Sequence, residues 1–146
     1  MENNQVLQAI CSALALTQED VGALLEHGEL APMPDSPADL LHDCSNVQLR
    51  CFLEGLILAE RGPRSDGSKP VIDDSAISNN DILKKLRIAF NLQQEDMLLI
   101  FEEGGATLTP AEFGALFRKQ GNKHYRACSD AQLLQFINGF QPRLDT

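Results

Sequence analysis

Apolar residues recur at three- and four-residue spacing in Val6, Leu7, Ile10, Ala13 and Leu14, and again in Ile82, Leu83, Leu86, Ala89 and Phe90. That period lays each set along one stripe of an amphipathic α-helix, and the Asn pair ahead of each stripe offers a cap oxygen to the free amides of its first turn. A second stripe follows in both places: Val21, Leu24 and Leu25 after Thr17, and Met97, Ile100 and Phe101 after Gln93. Glu19-Asp20 and Glu95-Asp96 fall in the first turn, where the helix dipole favours negative charge. Gly28 and Gly104 are the predicted stops, in left-handed conformation. A third start signal is Ser36-Pro37-Ala38-Asp39, repeated as Thr109-Pro110-Ala111-Glu112: a hydroxyl cap, a proline at N1 and an acid at N3. The fourth is a capping box at Ser45 or Ser129 with Gln three residues on. It leads into Leu49, Phe52, Leu53 and Leu56, or Leu133, Phe136, Ile137 and Phe140. Pro142 is predicted to end the last helix. No stretch alternates with period two for long enough to make a sheet, so the fold class is all-α.

These signals come in two copies. Asn3 to Asp20 aligns with Asn79 to Asp96 at an offset of 76, and Cys44 to Leu56 aligns with Cys128 to Phe140 at an offset of 84. The expected architecture is two tandem four-helix repeats, eight short helices in total: residues 1–62, a Gly-, Pro- and Ser-containing linker at 63–78, and residues 79–146. Gly55 and Gly139 occupy matching mid-helix positions, where glycine costs about 1 kcal/mol relative to alanine. A close backbone approach to a neighbouring helix is the expected compensation.

The copies differ in length at the third helix. From the helix-starting proline to the cysteine there are 7 positions in the first (Pro37 to Cys44) and 18 in the second (Pro110 to Cys128). The added stretch holds Arg118, Lys119, Lys123, His124, Tyr125 and Arg126, the densest positive charge in a chain of net charge −9. Residues 1–62 carry ten Asp/Glu against two Lys/Arg, whereas residues 79–146 carry eight of each. An acidic half repels nucleic acid and lipid headgroups and attracts basic surfaces, including those of a second copy.

Candidate chemistry is sparse. Val6 to Leu16 lacks a positive flank and is broken by Gln8 and Ser12, so it does not read as a signal peptide. No apolar run approaches the roughly 20 residues of a membrane helix. Four cysteines without paired short spacing read as reduced thiols of a cytoplasmic protein. His42, Cys44 and Cys51 do not form a zinc box; no metal and no cofactor are expected. The Glu-Asp pairs read as helix-start acids rather than an acid–base couple. His124, Tyr125 and Cys128 lack a third orienting group for a nucleophile. Three readings of function stand: a non-catalytic interaction module, regulatory and docking on a protein or on itself; a nucleic-acid or other polyanion binder using residues 118–126, whose Lys and Arg neutralise phosphate while Tyr and His stack on bases; and a small-ligand site or enzyme built on His, Tyr and Cys. The first is the expected one.

Asn79 to Met97 (NNDILKKLRIAFNLQQEDM) and Lys123 to Asp130 (KHYRACSD), with the following LLQFINGF, resemble the two signature segments of the YehS-like family, a bacterial family of unknown function built as two related helical repeats. The resemblance covers essentially the whole chain. It departs in the shortened third helix of the first copy and in uncharged residues after Asp130. What it implies is a compact α-helical cytoplasmic protein with no established activity, cofactor or catalytic residue to carry over.

Overall fold

A computed structural model describes residues 1–28, 43–68 and 70–144. Among the described residues there are seven helices and no strand: α1 (Asn3–Leu14), α2 (Gln18–Gly28), α3 (Asn46–Arg61), α4 (Asn79–Ala89), α5 (Gln94–Glu103), α6 (Pro110–Leu116) and α7 (Asp130–Leu144). The further helix expected to open at Ser36 lies outside them. None of these helices is long and apolar enough to cross a membrane.

Most starts follow the local signals. Thr17 Oγ1 accepts from the Asp20 amide at 3.1 Å while the Thr17 amide donates to Asp20 Oδ2 at 2.8 Å. Ser45 with Gln48, Thr109 with Glu112 and Ser129 with Gln132 close the same reciprocal box. Three expectations change. The asparagine pairs do not cap: α1 is capped by Glu2, whose amide donates to Gln5 Oε1, and α4 by Ser78, whose Oγ accepts from the Asp81 amide. Already inside their helices, Asn3 and Asn79 reach sideways instead. Asn3 Nδ2 donates to the Cys44 carbonyl (3.1 Å) and Asn46 Oδ1 (2.8 Å), and Asn79 Nδ2 to the Cys128 carbonyl (3.0 Å) and Asp130 Oδ1 (2.7 Å). Gly104 has φ −83°, and the left-handed role passes to Gly105, φ +96°, after which the Ala106 amide returns to the Phe101 carbonyl. Gly104 is instead taken by close packing, since a Cβ there would overlap the Gln135 carbonyl of α7. Finally, α7 runs through Pro142 to Leu144; a proline near a helix end removes one backbone bond and need not stop the helix.

Packing carries the larger surprise. α2 lies on α3 and α5 on α7, as chain neighbourhood suggests, but α1 packs chiefly on α7 and α4 on α3. Each amphipathic first helix thus crosses to the last helix of the other set, and a single apolar core joins Val6, Leu7 and Ile10 to Leu83, Phe101, Phe136 and Ile137. Fully burying each such side chain contributes about 1.5–3 kcal/mol. Phe101 and Phe136 meet at 5.1 Å between ring centroids and Phe90 and Phe140 at 4.8 Å. Gly55 lets α3 approach the Leu24 carbonyl, and Gly139 lets α7 approach the Ile100 carbonyl and the Gly104 amide, so both mid-helix glycines have their packing reason. Residues 62–68 and 70–78 form no regular element. The second part is strapped along α3: Arg50 Nη2 donates to the Ser75 carbonyl (2.8 Å) and hydroxyl (3.0 Å), and Asn46 Nδ2 to the Asp74 carbonyl (2.9 Å).

Candidate functional site

The basic segment begins where α6 stops. Phe113 and Leu116 are buried under that helix, and Phe113 pairs with Phe117 at 4.8 Å. The Arg87 guanidinium of α4 lies over both rings, 5.4 and 4.9 Å from their centroids, while its Nε donates to the Leu92 carbonyl. α6 is therefore clipped to α4 before the loop departs.

Within the loop, Asn122 organises a turn: its amide donates to the Lys119 carbonyl, its Oδ1 accepts from the His124 amide at 2.8 Å, and its carbonyl accepts from the Tyr125 amide at 2.9 Å. The Arg126 amide then returns to the Ala115 carbonyl of α6 at 3.1 Å. One side chain holds both ends. Asn80 Nδ2 donates to the Leu116 and Arg126 carbonyls, each at 2.9 Å, and its Oδ1 accepts from the Cys128 amide at 2.8 Å. Three hydrogen bonds of about 1 kcal/mol each fix the exit and return of the chain.

Arg118, Lys119, Lys123, His124 and Arg126 are exposed and Tyr125 is half-buried. Lys123, His124, Tyr125 and Arg126 line a groove of about 280 Å³ closed on the far side by Ala111, Glu112 and Ala115 of α6. Arg118 and Lys119 stand outside that lining. Among the described residues, none of the four Lys/Arg side chains makes an ion pair within 4.0 Å. Glu112 is the groove's one carboxylate. Its bonds to the Thr109 backbone and hydroxyl hold it below the usual carboxylate range, and the Arg126 charge assists.

Other candidates fall apart spatially. Cys128 does not join His124 in the groove: it is buried, its Sγ contacts the Ser129 carbonyl at 3.6 Å, and burial, with Asp130 nearby, pushes the thiol up to about 11. A protonated, enclosed thiol is a poor nucleophile at neutral pH. Asp20 and Asp96 bond the amides of Thr17 and Gln93 at their helix starts. Among the described residues, no three His, Cys, Asp or Glu side chains gather where they could hold a metal ion; His42 lies outside them. Asn80, Arg87 and Glu112 were not singled out as site residues from the sequence. Their partners in the loop lie 30 to 48 positions away or depend on how α6 is turned. The one available signal was the repeated Asn pair, whose second member had no role in a capping scheme already served by Ser78.

Residues 79–144 match a family model described as a protein of unknown function (DUF1456). The chain is similar to the "Uncharacterized protein YehS" of Escherichia coli (strain K12), with 32% identity over 152 residues covering 98% of this chain and 96% of that one. No solved structure matches the chain significantly.

Proposed function

Since the chain belongs to the YehS-like family, whose description names no activity, we propose from its loop geometry that it is a non-catalytic helical interaction module that docks residues 118–126 on an acidic surface of a protein partner. The supporting observation is the contrast between anchorage and exposure. Asn80 holds both ends of the loop from inside, while Arg118, Lys119, Lys123 and Arg126 make no ion pair with a carboxylate among the described residues. A loop ordered in advance loses little conformational entropy on docking. Tyr125 and His124 add contact area at its centre. The −8 carried by the first 62 residues favours a protein whose acidity is confined to one patch over nucleic acid, which is anionic along its whole length. The scaffold belongs to the same reading: two four-helix repeats, residues 1–62 and 79–146 joined by 63–78, with the eighth helix opening at Ser36 as the short counterpart of α6. The module is regulatory, works in the cytoplasm and needs no cofactor.

The test is capture from cell extract by the full chain, with and without nuclease, beside Lys123→Glu/Arg126→Glu. Protein capture that survives nuclease, weakens with salt and disappears in the charge-reversed variant is the expected result. Capture abolished by nuclease, with a log–log salt slope of about −3.6 for four phosphates on duplex, replaces this reading with nucleic-acid binding. Capture unaffected by charge reversal refutes the role of the loop.

A further inference from the structure

The α3–α4 junction carries charges that its internal counterpart lacks. In the matched numbering Glu54, Lys85 and Ile88 correspond to Asn138, Ala9 and Ser12, so the α1–α7 junction is neutral at these positions. An ion pair removed from water is rarely more stabilising than apolar residues of similar volume, and the α1–α7 junction has none at these positions, its own pair being the Met1 ammonium with the exposed Asp130 at the start of α7.

The geometry around the pair suggests what it serves. The Glu54 side chain is only 7% exposed, and its Oε1 bonds the Lys85 ammonium. Among the described residues Oε2 has no hydrogen-bond partner, yet it is not sealed in, because Glu54 lines a cleft of about 460 Å³. Arg61, Arg64 and Lys85 rim the same cleft, and Ile57 and Ile88 form apolar walls. Arg61 is held in place by Nη1 bonds to the Ile88 carbonyl (3.1 Å) and Asn91 Oδ1 (3.4 Å), and its other N–H groups have no hydrogen-bond partner among the described residues. One acid and three bases give the cleft a net charge of +2, and its volume falls in the range of small-molecule sites.

We propose that this cleft binds a small aminoalkyl phosphate, with the phosphate on Arg61, Arg64 and Lys85 and the ammonium on Glu54 Oε2. Charge and hydrogen bonding select this class together. Phosphate matches three cationic donors, two of them guanidinium forks. A bare phosphate leaves the Glu54 oxygen without a donor and places two anions side by side. A bare amine leaves the guanidinium groups unmatched. The site shares no residue with loop 118–126 and does not depend on its role.

Calorimetric titration of the full chain with O-phosphoethanolamine, inorganic phosphate and ethanolamine tests this. O-Phosphoethanolamine is expected to bind about tenfold or more tightly than phosphate, and ethanolamine alone not measurably. Arg61→Met/Arg64→Met is expected to lose about tenfold or more for both phosphates. Glu54→Gln leaves Lys85 unpaired, so Glu54→Gln/Lys85→Met serves as the variant that keeps the fold, checked by its melting curve. It is expected to lose the preference for the amino compound. Vesicles of phosphatidylcholine with and without phosphatidylethanolamine separate a lipid headgroup from a free compound. Arginine-dependent capture only by the ethanolamine lipid assigns the first source, and absence of capture beside binding of O-phosphoethanolamine assigns the second. No binding of either phosphate, binding indifferent to Arg61→Met/Arg64→Met, or equal affinity for phosphate and O-phosphoethanolamine overturns the proposal.

Discussion

Gly139→Ala sets helix propensity against packing in a single methyl group. In an isolated helix, alanine for glycine is favourable by about 1 kcal/mol. In α7 the new Cβ would overlap the Ile100 carbonyl oxygen of α5, lie 2.7 Å from the Gly104 amide nitrogen and 3.0 Å from the Ile100 carbonyl carbon. All three are backbone atoms, which no rotamer change can remove, so α7 must move off α5 and loosen the Phe101–Phe136 contact beneath. Overpacking of this kind costs about 1–3 kcal/mol, with rigid backbone at the upper end. The net expectation is a loss of about 2 kcal/mol, or about 4–8 °C in melting temperature for a chain of this size. Gly114→Ala is the control. It lies in the middle of α6 with nothing within 4 Å of its would-be Cβ, so propensity acts alone and the same substitution is expected to raise stability by up to about 1 kcal/mol. Urea and thermal unfolding of both variants, read against an unchanged m-value, decide the matter. A Gly139→Ala protein as stable as the parent would refute the close-approach argument.

Three further outcomes follow from the same structure. Asn80→Ala removes the clasp on the Leu116 and Arg126 carbonyls and the Cys128 amide; a loss of about 1–3 kcal/mol is expected, with faster amide exchange confined to residues 117–128, and unchanged exchange there contradicts the anchoring role. Burial first, then neighbouring charge, raises Cys11 and Cys128 to about 11 and Cys44 to about 12 from an ordinary 9.0. Their contribution to stability is therefore complete below pH 9.0 and lost as pH rises through about 11 to 12, and at pH 8 Cys44 and Cys128 should resist a thiol-disulfide reagent that titrates all four cysteines in denaturant. Asp20 and Glu112 are held below the carboxylate range chiefly by the backbone amides of Thr17 and Thr109. These lowered values support the fold above the unfolded carboxylate pKa and lose that support as pH falls through the folded ones, so Asp20→Asn/Glu112→Gln should flatten the acid limb of the unfolding profile; an identical limb would argue against the capping boxes.

The sequence alone determined what depends on neighbours a few positions apart. The stripes from Val6 to Ala13 and from Ile82 to Ala89 came out buried, the boxes at Ser45, Thr109 and Ser129 closed, and the glycines at 55 and 139 touched backbone, because period, cap and helix propensity are local properties. The basic segment from Arg118 to Arg126 was legible as well, since it has no counterpart where Cys44 to Leu56 aligns with Cys128 to Phe140. Which helix each stripe faces was not legible. α3 and α7 carry matching apolar faces, so α1 could satisfy its stripe on either, and only the tertiary structure sent α1 to α7 and α4 to α3. Long-range polar partners share that limit: Asn80 looked like a second cap and became the clasp of the loop, and Glu54 and Lys85, 31 positions apart, met only because α4 crosses to α3. Local spacing specifies a helix and its buried face, whereas the choice between two near-identical docking faces rests on the summed fit of the whole core.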